Sequence, residues 1–505
     1  MHPAPRVEHT DPTPPIRPHT VPPFPGVSRR VAAPRVPQPG IPRRGGRGRR
    51  AAPAAAQSKR VLPREATPPS VNYIYLLWFI ILMDPHRYIA SLGFGFFHRM
   101  GTLSFIPLAA MIAIGAANFL DGRRAWVWFW PFALFIVSGF FSIPTSLNRG
   151  DSFDLLKPLI MYYMLAIGTA MTIKTPRQLV PIIVMFCLGQ FVWWHLHGGF
   201  LRGLVRWHSL LANVDGYGPL MVMGMGLTFF FGLAAQSKKI RWFAFGAAAL
   251  CVIGVVASFA RGAFLGAVAV AGMVLLRSPH RARTLGGFAV GAVILLITAN
   301  VMFPGGAFWN EMASIVTEGK EGGTGEDRWV LWGLAIQVFT ERPVFGVGLG
   351  NFGQFAALFF DVGAEEAGHY GSNPGMLVGR SLHSLYFQIL SELGIVGTSA
   401  FVWMILHFHV RNKALRSAEA IERWNAKTGG SYDLRTIAYG LEAGAVGCLV
   451  TAAFYAAYLY VHWVYTLFTI NMVLYGVVLG GGAARQAAPP RRRGRGTLGR
   501  AAAPG

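Results

Sequence analysis

Charge is scarce in this chain. Only 13% of its 505 residues are Asp, Glu, Lys or Arg, whereas 53% are apolar, a balance that argues against a soluble globular enzyme and predicts an integral membrane protein. Cysteine is scarcer still: Cys187, Cys251 and Cys448 each stand alone in an apolar stretch, so neither a disulfide framework nor a thiolate metal site is expected. Acidic residues number 22 against 46 basic ones, giving a formal net charge of +24. Spread over a folded surface, that excess would suggest nucleic acid. It is concentrated instead in two tails and several short loops. Residues 1–70 are proline-rich and carry RRGGRGRR, and residues 491–500 read RRRGRGTLGR. Such stretches cannot bury a core and predict disorder, their charge serving cytoplasmic retention and contact with anionic headgroups. No apolar h-region precedes residue 71, so a cleaved signal peptide is not expected, and whether residues 1–70 are the true N-terminus stays open.

Long apolar runs are what the chain has in abundance. Hydropathy places about twelve spans at 71–83 (extended by an amphipathic segment to 97), 102–120, 125–143, 155–173, 179–196, 216–234, 242–256, 263–276, 285–303, 385–407, 437–458 and 463–479. The expected architecture is an all-α, polytopic transmembrane helix bundle with a large, partly helical periplasmic loop. Its organisation follows: a cytoplasmic tail at 1–70, a bundle of about nine spans at 71–303, the loop domain at 304–384, about three spans at 385–481 and a basic cytoplasmic tail at 482–505. Alternate loops carry DGRR (121–124), KTPR (174–177), SKKIR (237–241), RSPHRAR (277–283) and RNKALRSAEAIERWNAK, so they are expected inside, as the positive-inside rule requires. In the long loop Glu311, Glu318, Glu321, Glu326, Asp327, Glu341, Asp361, Glu365 and Glu366 outnumber Lys320, Arg328, Arg342 and Arg380, and it is expected outside. No internal repeat is visible, so an inverted-repeat transporter gains no support.

Within residues 304–384, Trp329, Trp332, Ile336 and Phe339 recur at helical spacing, predicting a short helix that lies in the interface or packs on the bundle, ended by Pro343. GVGLG at 346–350 lacks the third glycine and the βαβ setting of a dinucleotide fingerprint; Gly348 and Gly350 read as permitting a tight turn or a close backbone approach to a ligand. Arg261 falls between two short apolar segments, where a cation costs about 2.5 to 3.5 kcal/mol unless it faces a cavity or a partner, snorkelling being the alternative. Arg328 pairs locally with Glu326 or Asp327 or else binds an anion, and Arg380 is a solvated charge or part of the same clamp. His383 follows Arg380 by three residues, so a helix beginning before both would put them on one face. A near-neutral histidine there could accept a hydroxyl proton; helix capping is the bland alternative, and His369 competes for the role. His195 and His197 have HxH spacing without an adjacent carboxylate or cysteine, and no metal site is expected. Glu392 and Glu442, inside apolar spans, read as structural, either paired or facing a cavity, with no partner fixed by the sequence.

Taken in order, SFARG at 258–262, Arg328 followed by Trp329 and Trp332, RPVFGVGLGNF at 342–352, and His383 leading into SELGIVG at 391–397 resemble the O-antigen ligase and polymerase superfamily. His383-Ser384 stands where that family often has HN. The resemblance implies a membrane glycosyltransferase on the outer face of the bacterial inner membrane, both termini cytoplasmic, taking a glycan from a polyprenyl-pyrophosphate carrier to an acceptor hydroxyl on a lipid, a growing glycan or a protein, without cofactor or metal. Arg261, Arg328, Arg380 and His383 would be catalytic, and Arg206, His208, Asn213, Gly348 and Gly350 would bind substrate. An arginine fork can hold two phosphate oxygens at any physiological pH. From a different class, a secondary transporter of an anionic solute would use Arg261 as its anchor, and a non-catalytic scaffold of an envelope polysaccharide complex is the third reading.

Overall fold

The computed structural model describes residues 68–85, 102–117, 119–197, 214–278, 324–359, 374–456 and 462–480, with scattered positions between 89 and 94 and between 282 and 313. Every helix or strand among them is a helix, apart from one antiparallel bridge between Ala235 and Tyr432. In order they are α1 (Pro69–Met83), α2 (Ile106–Ala117), α3 (Phe119–Ser142), α4 (Arg149–Thr172), α5 (Pro176–His197), α6 (Val214–Ala234), α7 (Lys238–Ser258) and α8 (Arg261–Arg277). After these come α9 (Thr324–Glu341), α10 (Phe352–Phe359), α11 (Leu385–Ala414), α12 (Ala418–Thr428), α13 (Leu434–Ala452) and α14 (His462–Leu479). Among the described residues, five segments are long and apolar enough to cross a membrane: Trp128–Thr145, Arg149–Thr172, Tyr217–Ala234, Lys238–Ser258 and Leu385–Ala414. Shorter apolar helices occur in α1, α2, α5 and α14. The expected span at 285–303 falls mostly outside the described residues. DGRR, read as a loop from its charge, lies in the first turns of α3, because the helix already starts at Phe119.

Helices α6, α7, α8 and α13 form one packed group, and α3, α4 and α11 another; α14 touches α4, α5, α11 and α13. Small residues let the first group close up. A Cβ on Gly226 of α6 would lie 2.6 Å from the Gly444 nitrogen of α13, and one on Gly447 would lie 2.5 Å from Val270 of α8. Close backbone approach of this kind stabilises helix pairs where lipid removes the hydrophobic drive between them. Outward-facing Leu134, Val137, Val252, Val402 and Leu406 stay exposed, as an apolar surroundings would favour.

The bundle has two chemically distinct ends. At one, Glu442 accepts from Arg277 at 3.0 Å and from Arg416 at 2.6 Å, with both guanidinium groups over Tyr439. Arg411 donates to the Tyr475 hydroxyl at 2.7 Å, and Gln236 N–H, just before SKKIR, donates to Ser431 O. At the other end lie the starts of α8 and α11, the end of α13 and the segment 343–351.

That segment is built into a break in α11. At Gly394 the backbone turns to φ 62°, ψ −161°, a conformation for glycine alone. In an unbroken helix Ile395 and Val396 N–H would donate to Ser391 and Glu392 O. Here they donate to Pro343 O (2.8 Å) and Val344 O (3.2 Å), while Ser391 and Glu392 O accept from Val347 N–H (3.1 Å) and Gly348 N–H (2.9 Å). Two helical bonds are exchanged for four, so the break leaves these four groups paired, the condition under which irregular backbone is tolerated at membrane depth. RPVFGVGLG and SELGIVG are thus the two halves of one joint. Around it a separate small core gathers Leu331, Leu334, Val338, Phe352, Phe355 and Leu377. The loop unit therefore buries the Leu/Val side of α9 and leaves Trp329 and Ile336 exposed, a different face from the Trp329, Trp332, Ile336, Phe339 stripe that periodicity picks out.

Candidate functional site

The sequence turns sharply at SFARG. Helix α7 ends at Ser258 and α8 starts at Arg261; between them Phe259 takes a left-handed conformation (φ 55°, ψ 17°). Ser258 Oγ donates to Val255 O at 2.8 Å and accepts from Ala260 N–H at 3.2 Å, fixing the turn from within. Arg261 is half-buried as the first residue of α8. A Cβ on Gly218 of α6 would lie 2.4 Å from Ser258 Oγ, so the first turns of α6 lie beside the arginine turn.

Phe454, just past the end of α13, is the meeting point. A Cβ on Gly262 would sit 2.6 Å from Phe454 Cβ, and the guanidinium carbon of Arg328 lies 6.0 Å from the Phe454 ring centroid. One turn further along α9, Trp332 donates its indole N–H to Leu382 O at 2.9 Å and stacks on Phe387 at 5.0 Å. Helix α9 therefore reaches the Arg261 turn through Arg328 and the His383 turn through Trp332.

His383 is half-buried and left-handed (φ 50°), with its N–H donating to Ser381 Oγ at 3.3 Å. A non-glycine residue in this region carries strain of about 1 to 2 kcal/mol, held only when its surroundings determine it. Arg380 is exposed, its N–H donating to Leu377 O at 2.9 Å. Because α11 starts at Leu385 with Ser384 as N-cap, Arg380 and His383 precede the helix and share no helical face; the turn at 377–384, not helix periodicity, places them.

Gly348 and Gly350 have φ of 89° and 72°. Their α-carbons face protein: a Cβ on Gly348 would meet Ser146 at 2.4 Å and Ser152 Oγ at 2.8 Å, and one on Gly350 would meet Leu155 at 2.6 Å. The tight turn is there, and the close approach is to α4 and the segment before it. Arg206, His208, Asn213 and His369 lie outside the described residues. Among the described residues no three His, Cys, Asp or Glu side chains converge as a metal-holding group. Glu392 is buried and accepts from Gln388 Nε2 at 3.2 Å, and Glu442 holds its two arginines at the opposite end.

Two positions that help to build this region carry little sequence signal. Phe454 is one aromatic in an apolar run, and nothing in its spacing marks it. Asn351, fully buried, accepts from Asn148 N–H at 2.7 Å and donates to Ser152 Oγ and Leu349 O at 2.9 Å each; an asparagine following GLG was the available clue.

Residues 246–402 match the family described as O-antigen ligase. The matched stretch runs from within α7 to beyond the break in α11 and contains Arg261, Arg328, Arg380 and His383. The comparison with curated proteins gives no match.

Proposed function

We propose that this O-antigen ligase-like membrane protein of polysaccharide biogenesis transfers a glycan from a polyprenyl-pyrophosphate carrier to an acceptor hydroxyl. The observation that carries the reading is the convergence on α9: Arg328 and the Arg261 turn meet at Phe454, and the same helix holds the His383 turn through Trp332. Two half-buried arginines near a histidine suit a reaction that expels a diphosphate beside a nucleophile.

In this reading the acceptor oxygen bonds to the anomeric carbon while the bond from that carbon to the pyrophosphate oxygen breaks, its electron pair leaving on the phosphate. His383 takes the acceptor's proton. Arg261 and Arg328, with Arg380 at the rim, hold the charge that develops on the leaving group; fixed cations placed where charge develops supply stabilisation without a metal. Arg206, His208 and Asn213, in the stretch of sequence that precedes α6, contribute glycan or phosphate contacts. Gly348 and Gly350 act through the turn they form, rather than by touching substrate.

The full topology belongs to the same proposal: about twelve spans in the bacterial inner membrane, with the end bearing Arg277, Arg416 and Glu442 and both termini cytoplasmic. The site then opens to the periplasm, where the loop unit built on α9 caps it. A ligase, a polymerase and a protein O-oligosaccharyltransferase share this chemistry and differ in the acceptor.

The direct test is purified full-length protein in detergent with polyprenyl-pyrophosphate-linked oligosaccharide, candidate acceptors and EDTA. Transfer that survives the chelator supports the reading. Failure to bind the carrier at all would count against it and favour a transporter.

A further inference from the structure

Asn351 lies outside the arginine and histidine set, yet it is completely buried among polar partners at the joint between the loop unit and the bundle. Its Oδ1 accepts from Asn148 N–H at 2.7 Å; its Nδ2 donates to Asn148 O at 3.2 Å, to Ser152 Oγ at 2.9 Å and to Leu349 O at 2.9 Å. Ser152 Oγ in turn donates to Leu349 O at 2.9 Å, and Thr145 Oγ1 donates to Gly346 O at 2.8 Å. One carboxamide thus pins the end of the segment 343–351 to the start of α4.

The other side of that segment occupies the break in α11. With its far end fixed by Asn351, Pro343, Val344, Val347 and Gly348 are held in register with Ser391, Glu392, Ile395 and Val396. Above the break stands a half-helix from Leu385 to Leu393, with Ser384 as its N-cap and His383 immediately before it. The angle of this half-helix is set by the segment inserted at its base, since Ile395 and Val396 N–H donate to that segment, to Pro343 O and Val344 O. The register of the segment is set by Asn351.

We propose that Asn351 is a positioning residue for His383: it fixes the inserted segment, the segment fixes the half-helix, and the half-helix fixes the strained histidine turn relative to the arginines on α8 and α9. The inference rests on the transferase reading for what His383 does, but the mechanical coupling can be observed without it. Arg328 and the turn that carries Arg261 pack against Phe454, which is not among the hydrogen-bond partners of Asn351, so disturbing Asn351 should separate proton acceptance from carrier binding.

The test compares wild type with Asn351→Asp, which keeps the acceptor for Asn148 N–H and loses the amide donor, and with the milder Ser152→Ala, all as full-length protein in lipid nanodiscs. Single-turnover transfer, carrier affinity and amide hydrogen exchange are measured on each. The expected result is a transfer rate lowered about ten- to a hundredfold in Asn351→Asp, with carrier Kd held within about twofold, because a displacement on the order of 1 Å weakens chemistry far more than binding. Amides in 343–350 and 391–397 exchange faster. Ser152→Ala shows the same split to a smaller degree, and carries the test alone if Asn351→Asp does not accumulate. Faster exchange with an unchanged transfer rate per folded molecule would overturn the proposal, as would loss of carrier affinity in step with rate, which would make the segment part of the donor site. Wild-type protein that exchanges as expected but transfers nothing would overturn the transferase reading instead.

Discussion

The guanidinium carbon of Arg328 lies 6.0 Å from the ring centroid of Phe454, and the same phenylalanine packs against Gly262, the residue after Arg261. One apolar side chain from outside the matched family stretch therefore lies against both the Arg328 guanidinium and the turn that carries Arg261, two places separated by less than half of that stretch in sequence.

Phe454→Leu keeps much of the packing and loses the aromatic face. A cation–π contact of this kind is worth about 0.5 to 1 kcal/mol at a partly exposed site, so carrier affinity should fall about two- to fivefold. Phe454→Ala, which also releases Gly262, should weaken binding further, and Phe454→Tyr should bind as wild type. Titration with labelled polyprenyl pyrophosphate measures all three; equal affinities across the set would detach Phe454 from the site.

Arg261→Lys retains the charge and loses the planar fork. If two phosphate oxygens are held at once, transfer should drop about tenfold or more despite the conserved charge. Near-normal transfer would reject bidentate binding, leaving only a requirement for positive charge.

Gly394→Ala addresses the joint. The added Cβ would lie 2.5 Å from Val344 O in a backbone conformation reserved for glycine. Strain and displacement of the inserted segment should cost about 2 kcal/mol or more, read as a lower thermal midpoint in detergent. An unchanged midpoint would mean that the break is not fixed by that contact.

Glu442→Ala leaves Arg277 and Arg416 facing one another without their shared carboxylate. Arg416 and Glu442 are mostly enclosed, but Arg277 has 36% of its side chain exposed, so solvent screening reduces the loss to about 2 kcal/mol. Exchanging the charges as Arg416→Glu with Glu442→Arg should recover part of it in a thermal-unfolding series. No recovery would show that packing around Tyr439, rather than the ion pair, dominates.

Much of the helical framework is legible because apolar length is a strong signal: α4, α6, α7, α11 and α14 fall on spans read directly from hydropathy. The basic segments were legible too, and Arg277, Arg416 and the 235–241 stretch do gather at one end. The buried face of α9 was not. Periodicity selects its large aromatic residues, but the loop unit has its own core and recruits Leu331, Leu334 and Val338, turning Trp329 and Ile336 outward. The joint was half legible: the sequence marks RPVFGVGLG and SELGIVG as unusual, but pairing between segments about fifty residues apart leaves no local trace. The condition under which Arg380 and His383 would share a helical face is not met, since capping at Ser384 starts the helix after them.

The most direct measurement is glycan transfer by wild type and His383→Ala in the same EDTA-containing assay, with carrier binding followed on both. The variant is expected to bind carrier as wild type does, through Arg261 and Arg328, and to transfer at least about a hundredfold more slowly for want of a proton acceptor. Transfer by His383→Ala at the wild-type rate would contradict this expectation and move the proton acceptor to another group.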